Sequence, residues 1–191
     1  MYRLTPRAMI LFPVLTGLAI AITLAAVGET PAHPLPESRL TRGSVLYSNE
    51  VSKILPGSLF FRGEQTPVEP RNSSGLQFAD GMYLLTAIID TSGHTGSEDE
   101  EFQACFITEV PLDINRHKLG PGVYEVSMDD NHHFVVMDIS AHPVFIADSR
   151  RDLKLSHPIP LQIVDDSPAH DYRLYLGRDY VTLSRTIRKK D

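Results

Sequence analysis

Turn-forming residues punctuate this chain so often that no long regular element fits between them. From Ser58 onward, Pro, Gly, Asn or Asp marks nearly every boundary between apolar runs. The runs are short and rich in β-branched and aromatic residues. Outside the N-terminal segment, no 3.6-residue apolar period persists over ten residues. Such spacing specifies short antiparallel strands, packed as a sandwich or a small barrel. The expected fold class is all-β.

Along the chain, residues 37–57 suit a short helix or an edge strand, with strand favoured, and Pro56-Gly57 closes them. Leu59-Phe60-Phe61 reads as a short strand. Thr66 to Pro70 contains two prolines and is restricted to an edge or irregular strand. Arg71 to Gly75 reads as a loop. Met82 to Thr91 and Phe102 to Val110 read as an antiparallel pair across the polar loop Ser92 to Glu101. Leu112 to Ile114 is brief. Val123 to Met128 and His133 to Ile139 flank the compact turn Asp129-Asp130-Asn131. Val144 to Ala147, Pro160 to Val164, Tyr172 to Leu176 and Val181 to Ser184 complete the set.

The N-terminus follows a different pattern. Arg3 and Arg7 precede an apolar run from Met9 to Val27, which ends in Ala25, Ala26 and Gly28. This is the layout of a secretory signal peptide, with a membrane anchor as the alternative. Pro13 and Gly17 weaken a helix here, and the proline-bearing stretch that follows lacks a basic stop-transfer cluster, so cleavage is favoured. The expected organisation is a signal segment 1–28, a linker 29–43, a single β domain 44–185 and a basic tail 186–191. The expected location is extracytoplasmic, periplasmic or secreted, with membrane contact only if the first segment is retained.

Removing residues 1–28 takes away two basic residues and no acidic one, moving the formal net charge from −6 to −8. An acidic domain without a basic stripe excludes nucleic acid as the expected partner, because phosphate neutralisation needs clustered Lys and Arg. Arg185, Arg188, Lys189 and Lys190 are the exception and read as a solvated tail. Cys105 is the only cysteine, so no internal disulfide is available. Its strand alternation places Phe102, Ala104 and Phe106 on one face and Gln103, Cys105 and Ile107 on the other, giving Cys105 a packing role.

Val110-Pro111-Leu112-Asp113-Ile114, followed by Leu119-Gly120-Pro121-Gly122-Val123-Tyr124, contains a Leu-x-x-Gly-x-Tyr phrase over residues 110–124. It resembles a phrase found in small exported bacterial β-domains of unknown function. The resemblance implies a strand, a turn and a hairpin in succession, and carries no activity or catalytic residue with it.

Two groups of side chains are candidate sites. In the stretch Tyr172 to Tyr180, Tyr172, Leu174 and Leu176 share one strand face while Arg173 and Tyr175 share the other. Tyr172, Arg173, Tyr175 and Arg178 are the candidate ligand-binding residues, since aromatic rings beside guanidinium groups grip sugars and small anions. Asp130, His132 and His133 are the candidate metal ligands, by the affinity of imidazole and carboxylate for Zn²⁺ or Cu²⁺. Solvated turn histidines are the competing account, because adjacent strand residues face opposite ways. Glu98 to Glu101 offers oxygen ligands for Ca²⁺ but lacks the spacing of a calcium loop. Asn72-Ser73-Ser74 fits a glycosylation acceptor. No phosphate-cradling glycine loop or GxSxG elbow is present, and no cofactor is expected.

The favoured functional expectation is a non-enzymatic binding or interaction domain of the bacterial envelope, meeting a small molecule or an envelope protein. The alternatives are a metal-dependent hydrolase using loop His and Asp residues, and a membrane-anchored structural domain.

Overall fold

A computed structural model describes residues 37–90, 102–166 and 171–187. The expectations for residues 1–36, the acidic loop 92–101 and the tail from 188 lie outside the described residues. The described part is nearly all strand and belongs to one compact unit.

The chain opens with α1 (Glu37–Leu40), β1 (Gly43–Leu46) and α2 (Ser48–Val51), so residues 37–51 contain both element types that the sequence allowed. α2 buries Val51 against Leu46 and Leu85, which fixes it on the outer face of the sheet. Next come β2 (Ser58–Phe61), β3 (Glu64–Phe78), β4 (Tyr83–Ile89), β5 (Phe102–Thr108), β6 (Leu112–Ile114), β7 (His117–Leu119) and β8 (Gly122–Met128). The remainder are β9 (His133–Asp138), β10 (Pro143–Asp148), β11 (Arg150–Arg151), β12 (Leu161–Asp166), β13 (Asp171–Leu176) and β14 (Asp179–Arg185).

Two antiparallel sheets result. The first runs β1-β3-β4-β5-β8-β9-β10, with β2 paired to the far end of β3. The second runs β12-β13-β14-β6-β7, with the two-residue β11 against β14. Neither path returns to its starting strand, so the architecture is a sandwich with open edges.

One expectation is corrected. Arg71 to Gly75 belong to β3 and do not form a free loop. Pairing with β4 steps from Val68↔Ile89 to Ser73↔Ala87, so residues 69–72 bulge out while Ser73, Ser74 and Gly75 rejoin the ladder. Pro70 and Asn72 fall in that bulge, where a missing ladder hydrogen bond is tolerated. The Asn72 amide donates to Glu69, and the Ser73 hydroxyl donates to the Pro70 carbonyl, closing it. β7 was not foreseen, because His117-Lys118-Leu119 offers a single buried apolar residue. Asn115 and Arg116, both at positive φ, make the tight turn that pairs β7 with β6.

Between the sheets lies a core that includes Leu76, Phe106, Phe134, Leu112, Leu174 and Leu183. A large apolar side chain buried in this way contributes about 1.5–3 kcal/mol. On the outer face of the first sheet, the β2–β3 hairpin folds back to cover Ala87, Ile89 and Cys105 with Phe61 and Val68. Cys105 is fully buried there, while Ala104 and Phe106 enter the main core, as the alternation requires. Arg62, at the tip of that hairpin, reaches 2.8 Å to the carboxylate of Glu125, which is only 2 % exposed.

Two seams join the sheets. At the β1/β12 side, Tyr172 bonds Gly43 through its hydroxyl, and the Ser74 hydroxyl accepts the N–H of Ile163. At the other side, the His117 ring stacks on Phe145 at 4.8 Å, and the Asn115 amide donates to the carbonyl of Asp148.

Candidate functional site

The chain leaves the first sheet at β10 and crosses to the second as β11, pairing Arg150 with Tyr180 and Arg151 with Asp179. This crossover passes the β8–β9 turn, so three remote segments meet at one end of the sandwich. Asp179 lies at their centre and is only 5 % exposed.

One carboxylate oxygen of Asp179, Oδ2, accepts from Arg151 Nη1 at 2.9 Å and lies 3.2 Å from His132 Nδ1. Arg151 Nη1 is also 3.3 Å from His132 Nδ1. The single Nδ1 either donates to Asp179 or accepts from Arg151, so the tautomer of His132 decides which contact is a hydrogen bond. The Ser149 hydroxyl donates to the His132 carbonyl and holds the turn against the crossover. The other oxygen, Asp179 Oδ1, is buried and has no hydrogen-bond partner among the described residues. Leaving such an acceptor unpaired costs about 1–3 kcal/mol, and native folds carry few of them.

Asp179 borders a concavity of about 250 Å³ between the β13–β14 turn and the 158–160 segment. Arg178 and Arg151 stand on its rim, and Pro158, Ile159 and Met128 supply its apolar wall. Gly177, at positive φ, turns the chain sharply here, and its N–H donates to Pro160. Arg178 donates from Nη1 to the carbonyl of Leu155 and has no carboxylate within ion-pairing distance among the described residues. Larger hollows lie beside Arg42 and Phe78 (about 800 Å³), beside Asn115 and His117 (about 660 Å³) and beside Leu119 and Thr186 (about 560 Å³), and the last borders the Thr186 hydroxyl, which is also buried without a partner among the described residues. A carboxylate oxygen demands a donor more strongly than a neutral hydroxyl does, so the chemistry favours the concavity at Asp179.

The four expected ligand-binding residues are divided among different surroundings. Tyr172 points into the main core, where Gly43 holds its hydroxyl, so it is a packing residue and does not face a ligand. Arg173 and Tyr175 lie on the opposite face, as the strand period dictates. Arg173 makes a bidentate pair with Asp166 at 2.8 and 2.9 Å and sits 4.9 Å over the Tyr180 ring. A hydrogen bond to Tyr175 and the pair with Asp166 raise the pKa of Arg173 further above its usual value. Tyr175 donates to Asp152 and packs 5.0 Å from Tyr180, and burial pushes its phenol pKa up. Both side chains are committed to neighbours, so of the four only Arg178 reaches the concavity.

The expected metal trio is also corrected. Asp130, His132 and His133 do not converge: His132 turns to Asp179, while His133 Nδ1 lies 2.9 Å from Asp129. Among the described residues, no group of three or more His, Cys, Asp or Glu could hold a metal ion. The histidines instead belong to a turn device used twice. Asp129 accepts the N–H groups of Asn131 and His133, and Asp138 accepts those of Ser140 and His142. The residue before each histidine, His132 or Ala141, has φ of 63°. Burial acts to raise the pKa of Asp129, yet the backbone N–H and ring of His133 hold it below the ordinary value. The backbone N–H of His142 does the same for Asp138.

Asp179 and Arg151 were missed by sequence reasoning. No local spacing marks them, because they meet only through the crossover. No family model, curated protein or solved structure matches the chain.

Proposed function

We propose that this chain is an exported, non-enzymatic binding domain of the bacterial envelope, holding a small polar molecule beside Asp179. The observation that carries this reading is Asp179, whose buried Oδ1 has no partner among the described residues and which lines one concavity together with Arg178, itself without a carboxylate partner among the described residues. Small-molecule sites likewise combine apolar walls with a few convergent polar groups. Export is supported by the Arg3/Arg7 start, the apolar run to Val27 and the small residues that follow it.

The test is a screen of small polar compounds against the isotope-labelled full chain, read by amide chemical shifts. Ligands should move the amides of Arg151, Ile159, Gly177, Arg178 and Asp179 together. Asp179→Asn, with a spectrum as dispersed as the parent's, should abolish those shifts. A screen in which no compound moves that group of amides would overturn the reading.

A further inference from the structure

We infer that the Asp179 site is built for a small carboxylate that carries a hydrogen-bond donor on the adjacent carbon, an α-hydroxy or α-amino acid. The inference rests on the binding reading above and names the class of ligand.

Two groups at the site lack complements among the described residues, and they have opposite requirements. Asp179 Oδ1 is an anionic acceptor that needs an O–H or N–H donor. Arg178 is a cation that donates to the neutral carbonyl of Leu155, and its planar fork matches a carboxylate. They are consecutive residues that line the same concavity, so one small ligand can present a function to each. A donor and a carboxylate on adjacent atoms satisfy that geometry.

The alternatives each leave one group unserved. A simple anion such as acetate answers Arg178 but brings negative charge to Asp179 and offers it no donor. A simple amine answers Asp179 but places a second cation beside Arg178 and Arg151. A neutral polyol donates to Asp179 and leaves the charge on Arg178 uncompensated. Pro158, Ile159 and Met128 leave an apolar wall for a short side chain. At about 250 Å³ the concavity falls below the range that holds drug-sized molecules, which restricts the ligand to a few heavy atoms beyond the carboxylate.

Oδ1 is sealed in this conformation. Arg151 and His132, the two groups resting on Asp179, are 46 % and 53 % exposed. Both rest on Oδ2, so binding requires them to swing toward solvent before a ligand's donor meets the carboxylate.

The experiment compares L-lactate, L-alanine, propionate and ethylammonium on the labelled full chain, alongside the general polar screen. Lactate or alanine should shift the site amides with an affinity about tenfold or more above that of propionate and ethylammonium, since a hydrogen bond to a charged group carries at least that factor. Which of the two binds tighter distinguishes a hydroxyl donor from an ammonium. Arg178→Lys, which keeps the charge and loses the fork, should weaken the preferred acid while leaving the spectrum dispersed. Propionate binding as tightly as lactate and alanine would overturn the donor requirement. If no acid binds but an unrelated compound shifts the same amides, the class is wrong and the binding reading stands. If nothing shifts them, both fall.

Discussion

The hydroxyl of Tyr172 sits between the two backbone groups of Gly43, accepting its N–H at 2.6 Å and donating to its C=O at 2.8 Å. One side chain from the second sheet thereby completes the hydrogen bonding of an edge residue in the first. Tyr172→Phe keeps the ring in the core and leaves both Gly43 groups unpaired. It should lower unfolding stability by about 1–3 kcal/mol, moving the urea midpoint without changing the slope. An unmoved midpoint would show that water replaces the hydroxyl at no loss.

Gly75 has no room for a side chain. A Cβ there would stand 2.7 Å from the Leu84 carbonyl oxygen and 3.1 Å from a methyl of Leu85. The closest atom is backbone, so relief requires the β3–β4 ladder to shift. Gly75→Ala should therefore destabilise by about 1–3 kcal/mol despite being the mildest substitution available. Thermal unfolding reads this directly, and a melting temperature equal to the parent's would sink the claim of close approach.

Asp80 and Arg185 form a bidentate pair at 2.8 and 2.9 Å, which corrects the expectation of Arg185 as a solvated tail residue. The Arg185 side chain also lies 5.0 Å over the Phe78 ring and donates to the Leu40 carbonyl. Its hydrogen bond holds the Asp80 pKa below the ordinary 3.8. A carboxylate with a lowered folded-state pKa contributes stability that is complete above the ordinary value and is lost as pH falls through the folded value. Asp80→Asn should lose about 1 kcal/mol at neutral pH and show a shallower decline below about pH 4. Parallel acid limbs for the two proteins would contradict this assignment.

Cys105 should be chemically silent in the folded protein. Burial pushes its thiol pKa up to about 11, and no part of it meets solvent. The thiolate is the reactive form, so a thiol reagent at pH 8 should label the native chain negligibly and the urea-unfolded chain completely. Rapid labelling of the folded protein would mean that the β2–β3 cover opens readily.

Sequence periodicity made the strongly alternating strands legible. In β5 and β13 every second residue is apolar or small, so the faces of Cys105 and Tyr172 follow from position alone. β3 was harder, because Ser73, Ser74 and Gly75 have loop composition but are buried for their small size and hydroxyl contacts. Tertiary contact overrides propensity at those residues. The candidate site was only partly legible. Arg178 and Asp179 fell within an aromatic and basic stretch and His132 was named as a metal ligand, whereas Arg151 was unmarked and the meeting of all four is made only where β11 changes sheets.

The place of β14 has a consequence for the order in which the fold can be completed. Among the described strands it is the last to leave the ribosome, yet it is a central strand of the second sheet, between β13 and β6. Until it arrives, the β6–β7 and β12–β13 hairpins have no common neighbour, and isolated hairpins are marginal in water. Co-translational assembly can raise most of the first sheet but must wait for residues 179–185 before the second exists as one body. Asp179 is the first residue of that strand, so the site is assembled in the same closing step as the fold.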